Sequence, residues 1–195
     1  MKVLVACEFS GTVRRAFQRK GHEAWSCDLL PAEDGEEFYH HEGDVFDIIH
    51  DGWDLMIAHP PCTYLSAAQM HYYKGNPKRR AERDKALEFV RQLMGAPIPR
   101  IAIENPVGYL STAWRKPDQV VRMNWFGHAD AIKPTCLWLK NLPLLKATNE
   151  VEPRRRGKRE SEWYSLNKTA KARSRTFQGL ADAMADLYSK GEAGK

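Results

Sequence analysis

The sequence predicts an α/β fold, a single domain on a mostly parallel central sheet with helices against its faces. Three observations predict it. Short apolar and β-branched runs alternate with helix-period segments through the first half of the chain. Capping residues and glycines punctuate those segments. Finally, polar or reactive clusters directly follow three of the apolar runs, and a parallel sheet binds its ligands there, beyond the carboxyl ends of its strands.

Residues 2–7 (KVLVAC) read as a buried first strand. Ser10 is placed to cap a helix that starts near Gly11 and runs through VRRAFQRK, with Gly21 as its stop. Residues 22–28 form a second strand, 31–42 a polar loop, and Gly43-Asp44-Val45 precedes a short turn. Residues 53–58 (WDLMIA) form a strand that runs into His59-Pro60-Pro61-Cys62. The clearest helix spans 79–94: Ala86, Phe89, Val90, Leu93 and Met94 share one face, with Arg79, Arg80, Arg83 and Lys85 largely off it. Residues 99–103 are a strand that Asn105 and Pro106 are expected to break. After residue 120 the alternation ends, leaving a strand at 135–139, a turn at Asn141-Leu142-Pro143 and a last helix at 177–187. The last helix carries Leu180, Ala183, Met184 and Leu187 on one face.

The 195 residues suit one domain, 1–195, and 43% apolar with 28% charged residues is a soluble globular profile. No apolar run approaches the roughly 18–20 residues of a membrane helix, and the N-terminus lacks a signal-peptide core, so a cytoplasmic protein is expected. The cysteines Cys7, Cys27, Cys62 and Cys136 show no zinc-type spacing, and no metal is expected. In a cytosolic chain they stay reduced. Cys7, Cys27 and Cys136 read as small buried apolar residues.

The net charge of +5 is unevenly placed. Residues 152–175 hold nine Lys/Arg (Arg154, Arg155, Arg156, Lys158, Arg159, Lys168, Lys171, Arg173, Arg175) against three acids, a local +6. The remaining 21 bases and 22 acids leave −1. A polyanionic partner accounts for such segregation, and a solvated basic loop is the plainer alternative.

Glu8-Phe9-Ser10-Gly11 forms a tight strand-to-helix turn. Its glycine is expected to admit a ligand near the backbone, and the helix N-terminus to receive an anionic group. Asp28 ends the second strand, where an acid accepts ribose hydroxyls or simply closes a turn. In HPPC, two prolines restrict the backbone after a buried strand and hold Cys62 at the sheet's edge, which suits a nucleophile better than a core residue. Glu104 ends the apolar run IAIE, where partial desolvation is expected to raise its pKa and let it carry a proton.

The order EFSG, Asp28, Gly43-Asp44-Val45, HPPC, Glu104-Asn105-Pro106 resembles the motif series of the DNA cytosine-5 methyltransferase family. The resemblance covers residues 1–110. The chain is more closely similar to compact phage and prophage cytosine-methyltransferase-like proteins. It shares with them CEFSG, HPPCT, ENP, TCLWLK (135–140) and the SRTF segment at 174–185. The resemblance implies a Rossmann-like S-adenosylmethionine-dependent methyltransferase fold with a mostly parallel central sheet. It implies a cofactor set of Glu8, Phe9, Ser10, Gly11, Asp28, Asp44, Val45, Pro60, Pro61 and Thr176. Cys62 corresponds to the nucleophile, and Glu104 with Asn105 to the acid. The implied substrate is DNA, gripped by Lys133, Arg154, Arg155, Arg156, Lys158, Arg159, Arg173 and Arg175. The family's arginine-bearing motif has Lys133-Pro134-Thr135 as its nearest counterpart, with Pro134 where the compact relatives often carry Arg. A short basic segment at 141–173 stands in place of a full target-recognition domain, which predicts weak sequence specificity.

Two other readings remain open on the sequence. An amino-methyltransferase uses Asp/Asn-Pro-Pro-aromatic, which HPPC resembles only superficially. A non-catalytic nucleic-acid-binding protein could keep the fold and lose the reaction. Of the aromatics, Trp114, Trp125, Phe126 and Trp138 read as core or turn packing, and Trp163 with Tyr164 as candidates for stacking on bases.

Overall fold

A computed structural model describes residues 1–129, 134–153, 169, 171 and 174–190. Seven strands form one sheet in the order β3-β2-β1-β4-β5-β7-β6. They are β1 (Lys2–Ala6), β2 (Glu23–Asp28), β3 (His40–Glu42), β4 (Leu55–Ala58), β5 (Arg100–Pro106), β6 (Gln119–Val121) and β7 (Thr135–Lys140). All run parallel except β7, which is antiparallel to both its neighbours.

Alternation along each strand sends side chains to two apolar layers. Val3, Val5, Leu55, Ile57, Ala102 and Leu137 pack with α1 (Thr12–Arg19) and α4 (Gln178–Tyr188) on one face. Leu4, Ala6, Met56, Ala58, Ile101 and Ile103 pack with α2 (Pro77–Gly95) on the other. Residues Leu110–Ala113 form the short α3. This is the expected doubly covered sheet. Because six strands share one direction, their carboxyl ends line a single edge, and the candidate site is built there.

Four expectations about elements change. The predicted loop at 31–42 contains β3, a three-residue edge strand of sequence HHE that carries no apolar signal. β6 falls where the sequence shows no clear pattern. β5 is not broken at Asn105: it continues through Pro106, paired to β7 in the register Asn105↔Cys136 and Pro106↔Thr135. On the other side β4 pairs only as far as Ala58↔Ile103, so the amide that proline lacks is not needed there. Helix α1 is not capped chiefly by Ser10, whose Oγ lies 3.4 Å from the Thr12 amide. The Glu8 carboxylate does this work, accepting from the amides of Val13 (2.7 Å) and Arg14 (3.1 Å).

Candidate active site

The EFSG turn leaves β1 through Cys7, which sits in the left-handed region at φ 59°. Glu8 turns inward and is buried, and burial pushes its carboxyl pKa up. It lies beside a small cleft lined by Cys7, Glu8, Phe9, Ser10, His59, Ser174 and Thr176. One expectation is corrected here. The helix N-terminus is not open to a ligand's anionic group, because Glu8 already occupies its amides. The turn itself also requires the glycine. Gly11 has φ 66°, and a Cβ there would collide with the Asp34 carboxylate and the Arg14 guanidinium. Arg14, fully buried on α1, pairs with Asp34 and donates to the Glu36 carbonyl at 2.9 Å. That ion pair holds the 31–36 loop over the turn.

Cys7 is not the buried apolar residue expected. It lines the cleft half-exposed, and desolvation with the nearby Asp28 carboxylate drives its thiol pKa far up, which makes it a poor nucleophile. Cys27 and Cys136 are buried as expected, and burial pushes Cys27 up to about 12.

The segment before α4 closes the cleft from above. Arg175 makes a bidentate pair with Glu33, both contacts at 2.7 Å, and Lys171 lies 5.0 Å over the Phe9 ring. The Arg175 guanidinium beside Glu33 holds that carboxyl below the usual range. Arg175, expected to grip phosphate, is thus engaged in docking this segment. Thr176 follows it and lines the cleft. Further along the same edge, Asp28 ends β2, half-buried, and accepts from the Leu30 amide at 3.0 Å. Burial raises its pKa. Asp44 caps a short turn through the Phe46 amide at 3.0 Å. The Val45 side chain packs in the core, so only its main chain is left for an adenine.

The second half of the site comes from β4 and β5. Pro60 is buried, whereas Pro61, Cys62 and Thr63 are exposed. The Cys62 carbonyl accepts from the amides of Leu65 and Ser66, each at 3.0 Å, and starts a turn anchored by buried Leu65. Asn105 is 1% exposed, and its Nδ2 donates to the Pro60 carbonyl at 2.8 Å. Expected beside Glu104 as a catalytic residue, it ties the Cys62 loop to the end of β5, and Gly108 lies so close to Leu65 and Ala67 that a Cβ would strike their backbone.

Glu104 is gripped by two residues that the sequence reading did not assign. His59 Nδ1 lies 3.2 Å from its Oε2, and the Thr135 hydroxyl meets its Oε1. The same hydroxyl lies 3.1 Å from the Asn105 carbonyl. One hydroxyl hydrogen is thus shared between two acceptors. His59 and Thr135 together hold one carboxyl oxygen each and fix the orientation of Glu104. Thr135 belongs to the Lys133-Pro134-Thr135 motif, so that motif reaches the acid through its threonine.

Arg79, Arg80 and Arg83, largely off the apolar face of α2, pack onto tyrosines of the loop that follows Cys62 and of the segment that follows β5. Arg79 lies 4.9 Å over Tyr72, Arg83 lies 4.0 Å over Tyr109, and Arg80 donates to the Tyr73 carbonyl. Trp114 stacks on buried Trp138 at 6.2 Å, and Phe126 is core, as expected. Lys133, Arg154, Arg155, Arg156, Lys158, Arg159, Lys168 and Arg173 lie outside the described residues, as do Trp163 and Tyr164. Among the described residues no helix is long and apolar enough to cross a membrane.

No protein-family model matches the chain, and no curated protein matches its sequence. Solved structures do match its fold. The S. pombe Dnmt2 methyltransferase superposes with a TM-score of 0.50 at 14% identity, over 72% of this chain and 49% of that one. The Entamoeba histolytica methyltransferase EhMeth superposes with a TM-score of 0.53 at 15% identity, over 78% of this chain and 57% of that one. The chain spans about half the length of these structures. With a seven-stranded, mostly parallel sheet that overlays on theirs, it has the Rossmann-like fold of S-adenosylmethionine-dependent methyltransferases.

Proposed function

We propose that this chain methylates carbon 5 of cytosine in DNA, with Cys62 as nucleophile, Glu104 as acid and S-adenosylmethionine as methyl donor. One observation carries this reading. An exposed thiol on a loop tied to β5 by Asn105 follows β4, a carboxyl held by His59 and Thr135 lies near the end of the neighbouring β5, and His59 also lines the EFSG cleft.

The donor fits the residues present. Ser10, Ser174 and Thr176 offer hydroxyls in the cleft, and His59 presents there a buried ring nitrogen, Nε2, without a hydrogen-bond partner. Phe9 walls the cleft, and Glu8 with Gly11 shapes the turn. Asp28 and Asp44 follow in order along the strand ends, suited to ribose hydroxyls and to an adenine amino group. Pro60 and Pro61 form the shared wall between donor and nucleophile. When bound, S-adenosylmethionine supplies an electrophilic methyl group.

The chain's own groups make cytosine able to accept it. The Cys62 thiolate adds to ring carbon 6. Electrons move into the ring as Glu104 donates its proton to nitrogen 3, which leaves carbon 5 enamine-like and nucleophilic. After methylation, water takes the carbon-5 proton, and as the thiolate leaves carbon 6, nitrogen 3 returns its proton to Glu104, which restores the aromatic ring, Cys62 and the acid. A base stacked in a duplex cannot reach this edge, so it must be flipped out or come from a single strand. Lys133 and the basic segment are the candidate phosphate contacts.

Mass spectrometry of nucleosides tests the proposal, with DNA and RNA treated in parallel with the protein and S-adenosylmethionine. The expected product is 5-methylcytosine in DNA, absent with Cys62→Ser, together with a covalent adduct on DNA containing 5-fluorocytosine. Methylation on an exocyclic amine would overturn the mechanism. Product in RNA alone would move the substrate class, and neither product nor adduct would leave a binding protein.

A further inference from the structure

His59 precedes the two prolines that steer Cys62, and the proposed chemistry assigns it no step. In the fold it lies between the two halves of the site. Its main-chain amide donates to the Ala6 carbonyl at 2.9 Å, which sets the residue against the end of β1. Its side chain is 7% exposed. Nδ1 faces Glu104, and Nε2 is buried without a hydrogen-bond partner at the cleft that holds Glu8, Ser10 and Thr176.

The ring's tautomer follows from its neighbours. Glu104 Oε2, a carboxylate oxygen 3.2 Å away, accepts, so Nδ1 carries the hydrogen and donates to it. A neutral imidazole then has only a lone pair at Nε2. A buried lone pair with no partner is costly and calls for a donor. The surroundings agree on the kind of donor. Glu8 lies next to this spot with both oxygens accepting from amides of α1, so it has no donor to offer a second carboxylate, whereas an ammonium group brings donors of its own.

We infer that His59 is a positioning residue that couples the donor cleft to the acid. Nε2 accepts a hydrogen bond from the α-ammonium group at the amino-acid end of the methyl donor, and this fixes the tautomer whose Nδ1–H holds Glu104 for proton delivery. The assignment rests on the reading of the EFSG cleft as the methyl donor's site. A filled cleft thus readies the acid before a base arrives.

Two substitutions separate the ring's two contacts. Asn places its amide nitrogen near the position of Nδ1, where it can still donate to Glu104, and Gln can turn its amide oxygen toward the position of Nε2, where it accepts. Calorimetric binding to the whole chain uses two probes without nucleic acid: S-adenosylmethionine, and 5′-methylthioadenosine, which lacks the ammonium group. His59→Asn is expected to weaken S-adenosylmethionine by about tenfold, the effect of one hydrogen bond to a charged group, and to leave 5′-methylthioadenosine unchanged. His59→Gln is expected to keep donor affinity and KM while kcat falls. Unchanged S-adenosylmethionine affinity in His59→Asn overturns the assignment, and so does an equal loss of both probes, which would mark a merely structural role. Nitrogen NMR of the wild-type chain with labelled histidine needs no variant. Adding S-adenosylmethionine should leave Nδ1 protonated and shift the Nε2 resonance as an acceptor; no response at Nε2 also overturns it. If the wild type does not bind S-adenosylmethionine at all, the cleft reading itself fails and takes this assignment with it. Wild-type binding with an indifferent His59→Asn removes the assignment alone.

Discussion

Gly11 has φ 66°, and the side of its Cα that would carry a side chain faces the Asp34–Arg14 ion pair. Gly11→Ala therefore meets both a backbone penalty and a collision, and a loss of about 2 kcal/mol is expected by denaturant titration. A loss near zero would show that the 31–36 loop moves aside freely. Thr135 makes a different prediction. Thr135→Val removes the hydroxyl that donates to Glu104 Oε1. Adduct formation on 5-fluorocytosine should slow by about a hundredfold, within the range of general acid catalysis. If the rate is unchanged, Thr135 has no part in holding the acid. Cys62, Glu104 and Asn105 were visible in the sequence because prolines and strand ends mark them. His59 and Thr135 were not, because each acquires its partner from a different strand. The contact of Asn105 was hidden for the same reason: its amide reaches Pro60, which is 45 residues away.

The segment carrying Lys171, Arg175 and Thr176 is attached to the cleft largely by charge. Glu33's folded pKa lies below its ordinary value, so the pair contributes docking above that ordinary value, near pH 4.3, and loses it as pH falls through the depressed one. Donor affinity that depends on this segment should hold at pH 7 and drop below about pH 4. Both partners are partly exposed, so salt should weaken the docking as well. Arg175→Ala should weaken donor binding several-fold at low salt and leave it little changed in about 1 M salt, where charges are screened within about 3 Å. Equal affinity at low salt would mean that Thr176 reaches the cleft without this clamp. At the scale of elements, β1, β2, β4, α1, α2, β7 and α4 were legible because burial imposes periodicity on their residues. β3 and β6 were missed, since three-residue strands at the sheet's two ends need little apolar surface.

Over the whole molecule, the positive charge is concentrated at 152–175 while the rest of the chain is nearly neutral. Binding to nucleic acid should therefore fall steeply with salt, and methylation of duplexes of random sequence should show only weak site preference. A tight preference for one site would contradict this. Sequence alone determined the α/β class, the order of the motifs and the strand-end location of Cys62 and Glu104, because hydrophobic periodicity and proline geometry are local properties of the chain. Only the tertiary structure decided how the groups meet. Glu8 fills the helix end that had seemed open to a ligand, Arg175 binds Glu33 rather than facing outward, and His59 lies between the EFSG cleft and Glu104. Each of these depends on parallel strands placing distant residues side by side, a contact that no spacing along the sequence records.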